Sequence, residues 1–490
     1  MGEDRNGRNA QIAGPTGRVG GRLHAQALHA RHGGDRLGRV RLVRHHQRPD
    51  QVVRRQRMFA HQAARPVMSA HSAHTGGGKS GHLGLSRLQQ IRTHRVFRGR
   101  SRSNPVCLGG FPVHFELSEE QALIQDAARK FADDRLKPHA AQWDEDKHFP
   151  VDVLREAAEM GFAGIYTRED VGGSAMSRVD AALIFEQLSR GCVSTAAFIS
   201  IHNMVSWMID SWGNDEQRQR WLPEMTRMDK IASYCLTEPG AGSDAANLRT
   251  KAVRDGDHYV LNGSKAFISG AGTSDLYAVM CRTGEDGPKG ISTIIVEKDT
   301  PGLSFGANER KMGWNSQPTR VVTFEDCRVP VENRIGEEGQ GFGFAMQGLN
   351  GGRINIGACS LGGAAEAVDL ATQYAKERSQ FGRNIADFQA TQFKLADMVT
   401  ELDASRMMLL RAADSVDRKD PSAAMHCAMA KRFATDMGFK IANDALQIHG
   451  GYGYLKDYPL ERIVRDLRVH QILEGTNEIM RVIIAKDVLR

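Results

Sequence analysis

Four long helical segments dominate the last third of the chain, at residues 345–378, 387–417, 421–448 and 459–488. Long helices joined by short connections pack as antiparallel neighbours around a shared core. Residues 341–490 are therefore predicted to form a C-terminal four-helix bundle. Gly475 lies partway through the fourth segment, where it is expected to interrupt or bend the helix.

The region before the bundle has the pattern of strands. LYAVMCRT, ISTIIVEK and TRVVTFEDC are apolar, β-branched runs separated by Gly, Pro and Asp turns. In HYVLNGSKAFI, the pair Asn262-Gly263 lies between two strand-like runs, which favours a tight hairpin there. Residues 232–340 are therefore predicted to form a compact antiparallel β domain.

The region from 113 to 231 has helical patterns. Ser118 and Gln121 make a capping box at the start of one helix, and a second helix is expected from Pro150 to Gly161. Further helical stretches are expected around 178–190, 195–211 and 215–228. The predicted fold class is thus α+β multidomain: an N-terminal helical domain (113–231), a central antiparallel β domain and a C-terminal helical bundle.

Residues 1–112 form a basic, low-complexity leader. Residues 1–100 contain 20 Arg or Lys but only 4 Asp or Glu, whereas the other 390 residues hold 45 basic and 54 acidic residues. This composition favours disorder. It fits a nucleic-acid-binding tail, an organelle transit peptide or a start codon assigned too early in GC-rich DNA. We favour the last, and expect a chain that begins near Val113 to be fully active.

The cysteine and apolar patterns limit the compartment. Seven widely spaced cysteines form no CxxC pair, which favours reduced thiols over a disulfide framework or a metal site. No uncharged apolar run approaches the roughly 18–20 residues that span a bilayer, and the N-terminus lacks the apolar region of a secretory signal. We expect the cytoplasm, or alternatively the mitochondrial matrix, and neither a membrane nor a nucleic-acid partner.

Glu474, sixteen residues from the C-terminus, is the candidate catalytic group. It follows the apolar pair Ile472 and Leu473 and precedes Gly475. A carboxylate beside apolar residues loses hydration, which raises its pKa towards the range useful to a general base. A solvated glutamate at a helix end would have the same local sequence, so this pattern by itself leaves both interpretations open.

Two segments of the β region could bind a ligand. In YCLTEPGAGSD, Gly240, Gly242 and Ser243 offer backbone N–H groups and a hydroxyl that suit a pyrophosphate, although the spacing is not a Rossmann fingerprint. Phe267 and Ser269 are two residues apart on one strand face. They could be core packing, or a platform and a hydrogen-bonding group for a flat ring system.

The chain resembles the acyl-CoA dehydrogenases from about residue 115 to 490. YCLTEPGAGSD, VLNGSKAFIS, RSQFG, QIHGGYGY and ILEGTNEIMR occur in the order and at the spacing of that family. MGWNSQPTR, GLNGGRIN and YLKDYP resemble its branch that acts on isobutyryl-CoA in valine catabolism. The resemblance implies non-covalent FAD between the β domain and the bundle, oxidation of isobutyryl-CoA to methacrylyl-CoA, an electron-transfer flavoprotein as acceptor, and a homotetramer.

The resemblance also implies the roles of individual residues, with Glu474 as the catalytic base. The FAD-binding residues would be Tyr234, Cys235, Leu236, Thr237, Glu238, Pro239, Gly240, Ala241, Gly242, Ser243, Phe267, Ile268, Ser269, Arg378, Phe388, Gln389, Gln447, Ile448, His449, Gly450, Gly451, Thr476, Asn477 and Glu478. Those from Arg378 to Gly451 would bind the adenosine and diphosphate end across a subunit boundary. Substrate contacts would come from Ser243, Asn350, Gly351, Gly352, Arg353 and Lys486, although the family often has arginine at the last position.

Some relatives carry the base on a different helix, next to the arginine that corresponds to Arg353. Here that neighbour is Gly352, which cannot act as a base, so Glu474 has no rival within these motifs. Two alternative functions remain open on the sequence. One is a short straight-chain or 2-methyl-branched acyl-CoA dehydrogenase, since pocket volume is not visible in the sequence. The other is a DNA-associated flavoprotein of the same fold that uses the basic leader.

Overall fold

The computed structural model describes residues 107–108, 111–112 and 116–490. Within the predicted leader it describes two short strands, Cys107–Leu108 and Phe111–Pro112, which pair antiparallel. The rest of the leader, including the basic residues on which its interpretations depend, lies outside the described residues. The helices are α1 Glu119–Phe131, α2 Ala140–Asp146, α3 Val151–Glu159, α4 Arg178–Gly191, α5 Val193–Trp212, α6 Asp215–Met225, α7 Gly341–Glu377, α8 Gln389–Asp417, α9 Ala423–His449, α10 Leu460–Arg468 and α11 Asn477–Val488. The strands are β1 Cys107–Leu108, β2 Phe111–Pro112, β3 Ala232–Cys235, β4 Lys251–Asp255, β5 His258–Ser269, β6 Leu276–Arg282, β7 Ile291–Glu297, β8 Leu303–Phe305, β9 Thr319–Pro330, β10 Arg334–Ile335, β11 Ser379–Gln380 and β12 Arg383–Asn384.

The predicted capping box at the start of α1 is confirmed. The Gln121 backbone N–H donates to Ser118 Oγ at 3.1 Å, and the Ser118 N–H donates to Gln121 Oε1 at 3.2 Å. Two orphan donors of the first turn are thereby satisfied. The second predicted helix is also present as α3, and Gly161 follows it with φ +81°.

The central strands β3 to β10 form one eight-stranded sheet in the order β10-β7-β6-β4-β5-β9-β8, with β3 beside β6. Most pairs are antiparallel as predicted, but β3 and β4 both run parallel to β6. Along β6, Leu276, Ala278 and Met280 pack in one apolar cluster, while Tyr277 and Val279 pack in another. This alternation shows that both faces of the sheet are buried along β6.

The predicted hairpin at Asn262-Gly263 is wrong. These residues lie inside β5, at a register shift against β9, and the tight turn instead falls between Asp255 and His258. A Cβ at Gly263, whose φ is +144°, would lie 2.7 Å from Thr250 Cα, so glycine serves a close approach of two backbones. A glycine in a strand signals a bulge as well as a turn, which misled the prediction.

Three of the four predicted long helices are single helices, α7, α8 and α9, and α9 packs against both of the others. The fourth segment is interrupted, as the position of Gly475 predicted. It begins as α10, passes through a 3₁₀ turn at Val469–Gln471 and resumes as α11. Glu474 lies in the interruption, between two helical pieces that both pack against α9.

No helix among the described residues is both long and apolar enough to cross a membrane. Six cysteines, at positions 192, 235, 281, 327, 359 and 427, are free and buried.

Candidate active site

The turn that carries Glu474 has a backbone conformation that is uncommon for side chains. Glu474 has φ 56° and Gly475 has φ 87°, both in the left-handed region. Glycine adopts this region freely, but a residue with a Cβ is strained there and needs support from its surroundings. The chain re-enters a helix at Thr476, whose side chain accepts the Ile479 N–H at 3.4 Å.

The Glu474 carboxylate lies against α7 at Gly352. A Cβ built on Gly352 would be 2.5 Å from Glu474 Oε2 and 2.8 Å from its Cδ, so only glycine leaves room for the carboxylate. The residue as a whole keeps some solvent exposure, but Oε2 is buried and has no hydrogen-bond partner among the described residues. An unpaired buried carboxylate oxygen is costly for stability and is therefore a sign of function.

Burial raises the pKa of Glu474 to about 7, and the nearby charges of Arg353 and Lys431 lower it only in part. Arg353, on α7, is itself buried, and its Nε–H donates to the Glu474 carbonyl at 3.2 Å. Its Nη1 donates to Asn350 Oδ1 at 2.8 Å. Arg353 thus holds the backbone of Glu474, and its charge acts on the carboxylate without a direct ion pair.

Tyr234, at the C-terminal end of β3, faces the same carboxylate. Its hydroxyl is buried and has no hydrogen-bond partner among the described residues. Burial raises the pKa of Tyr234 well above its ordinary value, and the negative charge of Glu474 raises it further. The site therefore holds two buried polar atoms, the Tyr234 hydroxyl and a Glu474 carboxylate oxygen, that a ligand could satisfy.

The segment 234–243 divides into a buried half and an open half. Cys235, Leu236 and Ala241 are buried in apolar clusters. Glu238 is also buried, and its Oε1 accepts a hydrogen bond from Lys265 Nζ at 2.7 Å. The Glu238 carboxylate also accepts the backbone N–H groups of Arg249 and Thr250, at 2.6 and 2.9 Å. Thr237 is half-buried, and Pro239, Gly240, Gly242 and Ser243 are exposed.

Gly240 and Gly242 present bare backbone to solvent. A Cβ added at either position would meet no atom within 4 Å, so the protein's own packing does not require glycine at either. The freedom there instead allows a ligand to approach the main chain closely.

Phe267 is an exposed aromatic residue in a strained position. It has φ 60° at an irregularity of β5, and 67% of its surface is exposed, whereas the next residue, Ile268, is buried. Ser269 lies on the exposed side and is half-buried. The aromatic ring of Phe267 therefore does not serve the core, and its shared face with Ser269 stays a prediction because the irregularity of β5 interrupts the alternation of side chains.

The residues predicted to bind the adenosine and diphosphate end of FAD lie on other parts of the helical bundle than Glu474. The Arg378 guanidinium lies 5.5 Å from the centre of the Tyr452 ring, and His449 stacks on Tyr374 at 4.1 Å. Phe388 and Gln389 lie where α8 begins. Gln447, Gly450 and Gly451 are exposed, and Ile448 is half-buried.

The remaining residues predicted to bind FAD or substrate differ in how accessible they are to a ligand. Asn477 is buried, with its amide bound to Thr435 Oγ1 and Asp436 Oδ1 at 2.9 and 2.7 Å, whereas Glu478 is exposed. Lys486 is exposed in the last turn of α11, about 14 Å along the helix from its start at a rise of 1.5 Å per residue. The structure does not bring Lys486 to the Glu474 carboxylate.

Sequence reasoning missed two basic residues of this region. Lys431 of α9 is fully buried and bonds to the turn after Glu474; its only signal was helical spacing from the buried Cys427 and Thr435. Arg178 is also buried beside Gly351, where a Cβ would lie 2.6 Å from its Nη1. Its guanidinium lies 3.6 Å from the centre of the Tyr166 ring, and no sequence motif predicted that stacking.

This combination of fold and site agrees with the comparisons to known families. The chain matches the acyl-CoA dehydrogenase N-terminal domain at residues 118–229, the middle domain at 233–327 and the C-terminal domain at 339–489. The chain therefore belongs to the acyl-CoA dehydrogenase family, whose members are flavin-dependent oxidoreductases that use FAD and act on acyl-CoA thioesters.

Individual members of the family show how similar the chain is to particular acyl-CoA dehydrogenases. The chain is 61% identical to the mitochondrial isobutyryl-CoA dehydrogenase of Dictyostelium discoideum and 59% identical to that of Bos taurus, each over 76% of this chain and 90% of the relative. It is 35% identical to the butyryl-CoA dehydrogenase of Megasphaera elsdenii, whose structure it matches with a TM-score of 0.75 over 77% of this chain and 100% of that one.

Proposed function

We propose that this protein oxidises isobutyryl-CoA to methacrylyl-CoA, a step of valine catabolism, with Glu474 as the base that removes the α-proton. The observation that carries the proposal is the Glu474 carboxylate itself. It is buried against Gly352, lacks a hydrogen-bond partner among the described residues, and has a pKa raised to about 7. A general base is most effective when its pKa lies near the working pH.

The residues present fit FAD. The exposed ring of Phe267 offers a face for the flavin, and the half-buried Ser269, two residues on, offers a hydrogen bond. Gly240 and Gly242 leave backbone N–H groups open to a diphosphate. When bound, FAD supplies the acceptor for the hydride that leaves the β-carbon.

The chain's own residues supply the proton transfer. The α-proton of a thioester is weakly acidic, so its removal needs a placed base and stabilisation of the carbonyl oxygen as charge develops there. Glu474, when ionised, takes the α-proton on its carboxylate while the Cα–Cβ double bond forms. The backbone N–H of Glu474 has no acceptor within residues 116–490, so it can donate to the thioester oxygen.

Arg353 and Asn350 support this geometry from α7. The contact of Arg353 Nε with the Glu474 carbonyl fixes the backbone of the base, and Asn350 fixes Arg353 in turn. We propose that Asn350, Gly351, Gly352 and Arg353 also contact the acyl-CoA, because Gly352 of this stretch lies against the carboxylate and Arg353 bonds to the Glu474 carbonyl. The exposed position of Lys486 gives no support to a substrate contact there.

The acyl group is assigned through the two isobutyryl-CoA dehydrogenases that are about 60% identical to this chain. A short straight-chain or 2-methyl-branched substrate is the alternative within the same reaction. The DNA-associated alternative depends on the basic residues of the leader between positions 1 and 100, which lie outside the described residues.

We further propose an electron-transfer flavoprotein as electron acceptor and a homotetramer as the assembly, as the family resemblance implies. Residues 378, 388–389 and 447–451 would then complete the cofactor site of a neighbouring subunit. Of the two compartments that the sequence left open, the mitochondrial relatives in Dictyostelium discoideum and Bos taurus support the mitochondrial matrix.

The test is anaerobic mixing of the FAD-loaded protein with isobutyryl-, butyryl-, 2-methylbutyryl- and isovaleryl-CoA, followed by loss of flavin absorbance. We expect isobutyryl-CoA to bleach the flavin fastest. Glu474→Gln should retain FAD but lose bleaching by about 10²- to 10⁴-fold, the usual contribution of a general base. The matched control is Glu325→Gln, at an exposed position of β9, which should bleach normally. Near-normal bleaching of Glu474→Gln would exclude the assigned base.

A further inference from the structure

Lys431 lies beneath the turn that carries Glu474. It is fully buried on α9, and its Nζ donates to the Gly475 carbonyl at 2.8 Å and to Asn477 Oδ1 at 2.9 Å. Hydrogen bonds from a charged donor are about twice as strong as those between neutral groups. A buried ammonium is therefore committed to the backbone directly after the proposed base.

The turn needs such support because Glu474 is held in a left-handed conformation at φ 56°. Strained backbone of this kind persists only where the surrounding structure fixes it. Here two successive carbonyls are each held by a cation: Arg353 Nε–H donates to the Glu474 carbonyl, and Lys431 donates to the Gly475 carbonyl. The two contacts come from different helices, α7 and α9, so together they fix the turn between them.

The second acceptor of Lys431 is anchored as well. The Asn477 amide nitrogen donates to Thr435 Oγ1 at 2.9 Å and to Asp436 Oδ1 at 2.7 Å, both on α9. Gln471 also donates to Asp436 Oδ1, at 2.8 Å. Residues on both sides of the Glu474 turn are thus tied to the same stretch of α9 that carries Lys431.

We propose that Lys431 is a positioning residue for the base: its buried amino group fixes the turn at Glu474 and Gly475 and thereby directs the carboxylate. The inference rests on the proposed dehydrogenation. It adds a residue that acts through Glu474 and that none of the recognised motifs contains.

The charges around Glu474 set the direction of the electrostatic effect. Arg353 from α7 and Lys431 from α9 both lower the pKa of Glu474 against burial, while Tyr234 faces it from β3. Removing the charge of Lys431 should therefore raise the pKa of Glu474. Burial lowers the pKa of Lys431 to about 7, although the carboxylate of Glu474 raises it, so Lys431 carries its charge at and below neutral pH. The other charged or titratable groups that face Lys431 are Arg353, Asp436, Glu478 and His470.

The experiment compares Lys431→Met, which removes charge and donors, with Lys431→Gln, which keeps an N–H donor without charge. Lys311→Met is the matched control, because Lys311 Nζ also donates to a backbone carbonyl, that of Gln317 at 2.7 Å, and its other acceptor is Thr319 Oγ1, so neither hydrogen bond reaches residues 474–477. One measurement is the limiting rate of flavin bleaching by isobutyryl-CoA across pH. The other is an infrared titration of the Glu474 carboxyl without substrate, with Glu474→Gln as the subtraction.

At high pH the carboxyl is ionised in every variant, and Lys431, whose pKa burial lowers to about 7, is a neutral amine that can still donate to the Gly475 carbonyl and to Asn477 Oδ1. We expect Lys431→Met to lower the limiting rate there about 10- to 100-fold, because the base is misplaced by a fraction of an ångström or more. Lys431→Gln should recover most of that rate. Both variants should move the infrared midpoint of Glu474 upward by about one pH unit, since both lack the charge. Lys311→Met should leave the rate and the midpoint unchanged.

A Lys431→Met protein that matches Lys311→Met in rate and midpoint would overturn the proposal, and so would a Lys431→Gln protein no faster than Lys431→Met. If Lys431→Met fails to fold with FAD, an unshifted midpoint in Lys431→Gln overturns it instead. Wild-type protein that none of the four acyl-CoA thioesters bleaches would reject the proposed function. The infrared titration would still test Lys431 in that case, because it needs no substrate.

Discussion

Replacing Glu474 by glutamine should make the protein more stable above neutral pH while removing its activity. The wild-type carboxylate is buried against Gly352, and Oε2 has no hydrogen-bond partner among the described residues. Ionising such a group costs free energy, since water can no longer solvate the charge. Glutamine has nearly the same shape and does not ionise.

The size of the change in the free energy of unfolding follows from the pKa of Glu474. Burial raises the pKa of Glu474 from 4.5 to about 7, and each pKa unit corresponds to about 1.4 kcal/mol, giving about 3 kcal/mol in total. Because the folded-state pKa lies above the unfolded-state pKa, the folded state binds more protons than the unfolded state at every pH between these two values. The wild type therefore has its full stability below pH 4.5 and loses about 3 kcal/mol as the pH rises through 7.

The assay is denaturant unfolding of wild type and Glu474→Gln with saturating FAD at pH 5 and pH 8. The free energy of unfolding of Glu474→Gln should exceed that of wild type at pH 8 by about 2 to 3 kcal/mol more than at pH 5. Glu325→Gln, at an exposed site, should show no such pH-dependent difference. An equal difference between Glu474→Gln and wild type at both pH values would refute the argument from burial.

Three further substitutions test the packing of Glu474, the buried Lys265–Glu238 pair and the contact of Phe267 with FAD. Gly352→Ala should slow flavin bleaching by 10-fold or more with FAD retained, because its Cβ would lie 2.5 Å from the Glu474 carboxylate; Gly348→Ala, whose Cβ would meet nothing closer than 3.4 Å, is the control for rate and FAD content. Lys265→Met should lower the free energy of unfolding by about 3–5 kcal/mol, because it leaves a carboxylate buried without its partner; denaturant unfolding measures this, and a loss below 1 kcal/mol would contradict it. Phe267→Ala should weaken FAD binding several-fold without reducing thermal stability of the FAD-free protein, since its ring is exposed; unchanged FAD affinity by titration would show that the ring is no flavin platform.

Much of the secondary structure could be predicted from the sequence because its signals are local. The capping box of Ser118 and Gln121 marked the start of α1 correctly, and Gly475 marked the break in the last helix. The same kind of signal failed at Asn262-Gly263, where the pair fits a hairpin and a bulge equally well. The close approach of Thr250 decided between them, and the sequence does not show which strand lies alongside.

The candidate site likewise has features that the sequence predicted and features that only the tertiary structure shows. The order of its motifs, read from the sequence, predicted the acyl-CoA dehydrogenase family, which the comparisons confirm, and selected Glu474 as the base, which stays a prediction. Only the tertiary structure placed Lys431 beneath that residue, because the two are 43 positions apart, with Lys431 on α9 and Glu474 in the turn between α10 and α11. Periodicity, caps and turn residues act over a few positions, so the sequence determines them directly. The ionisation of a carboxylate depends on which distant charges and apolar groups surround it, and only the folded chain decides that.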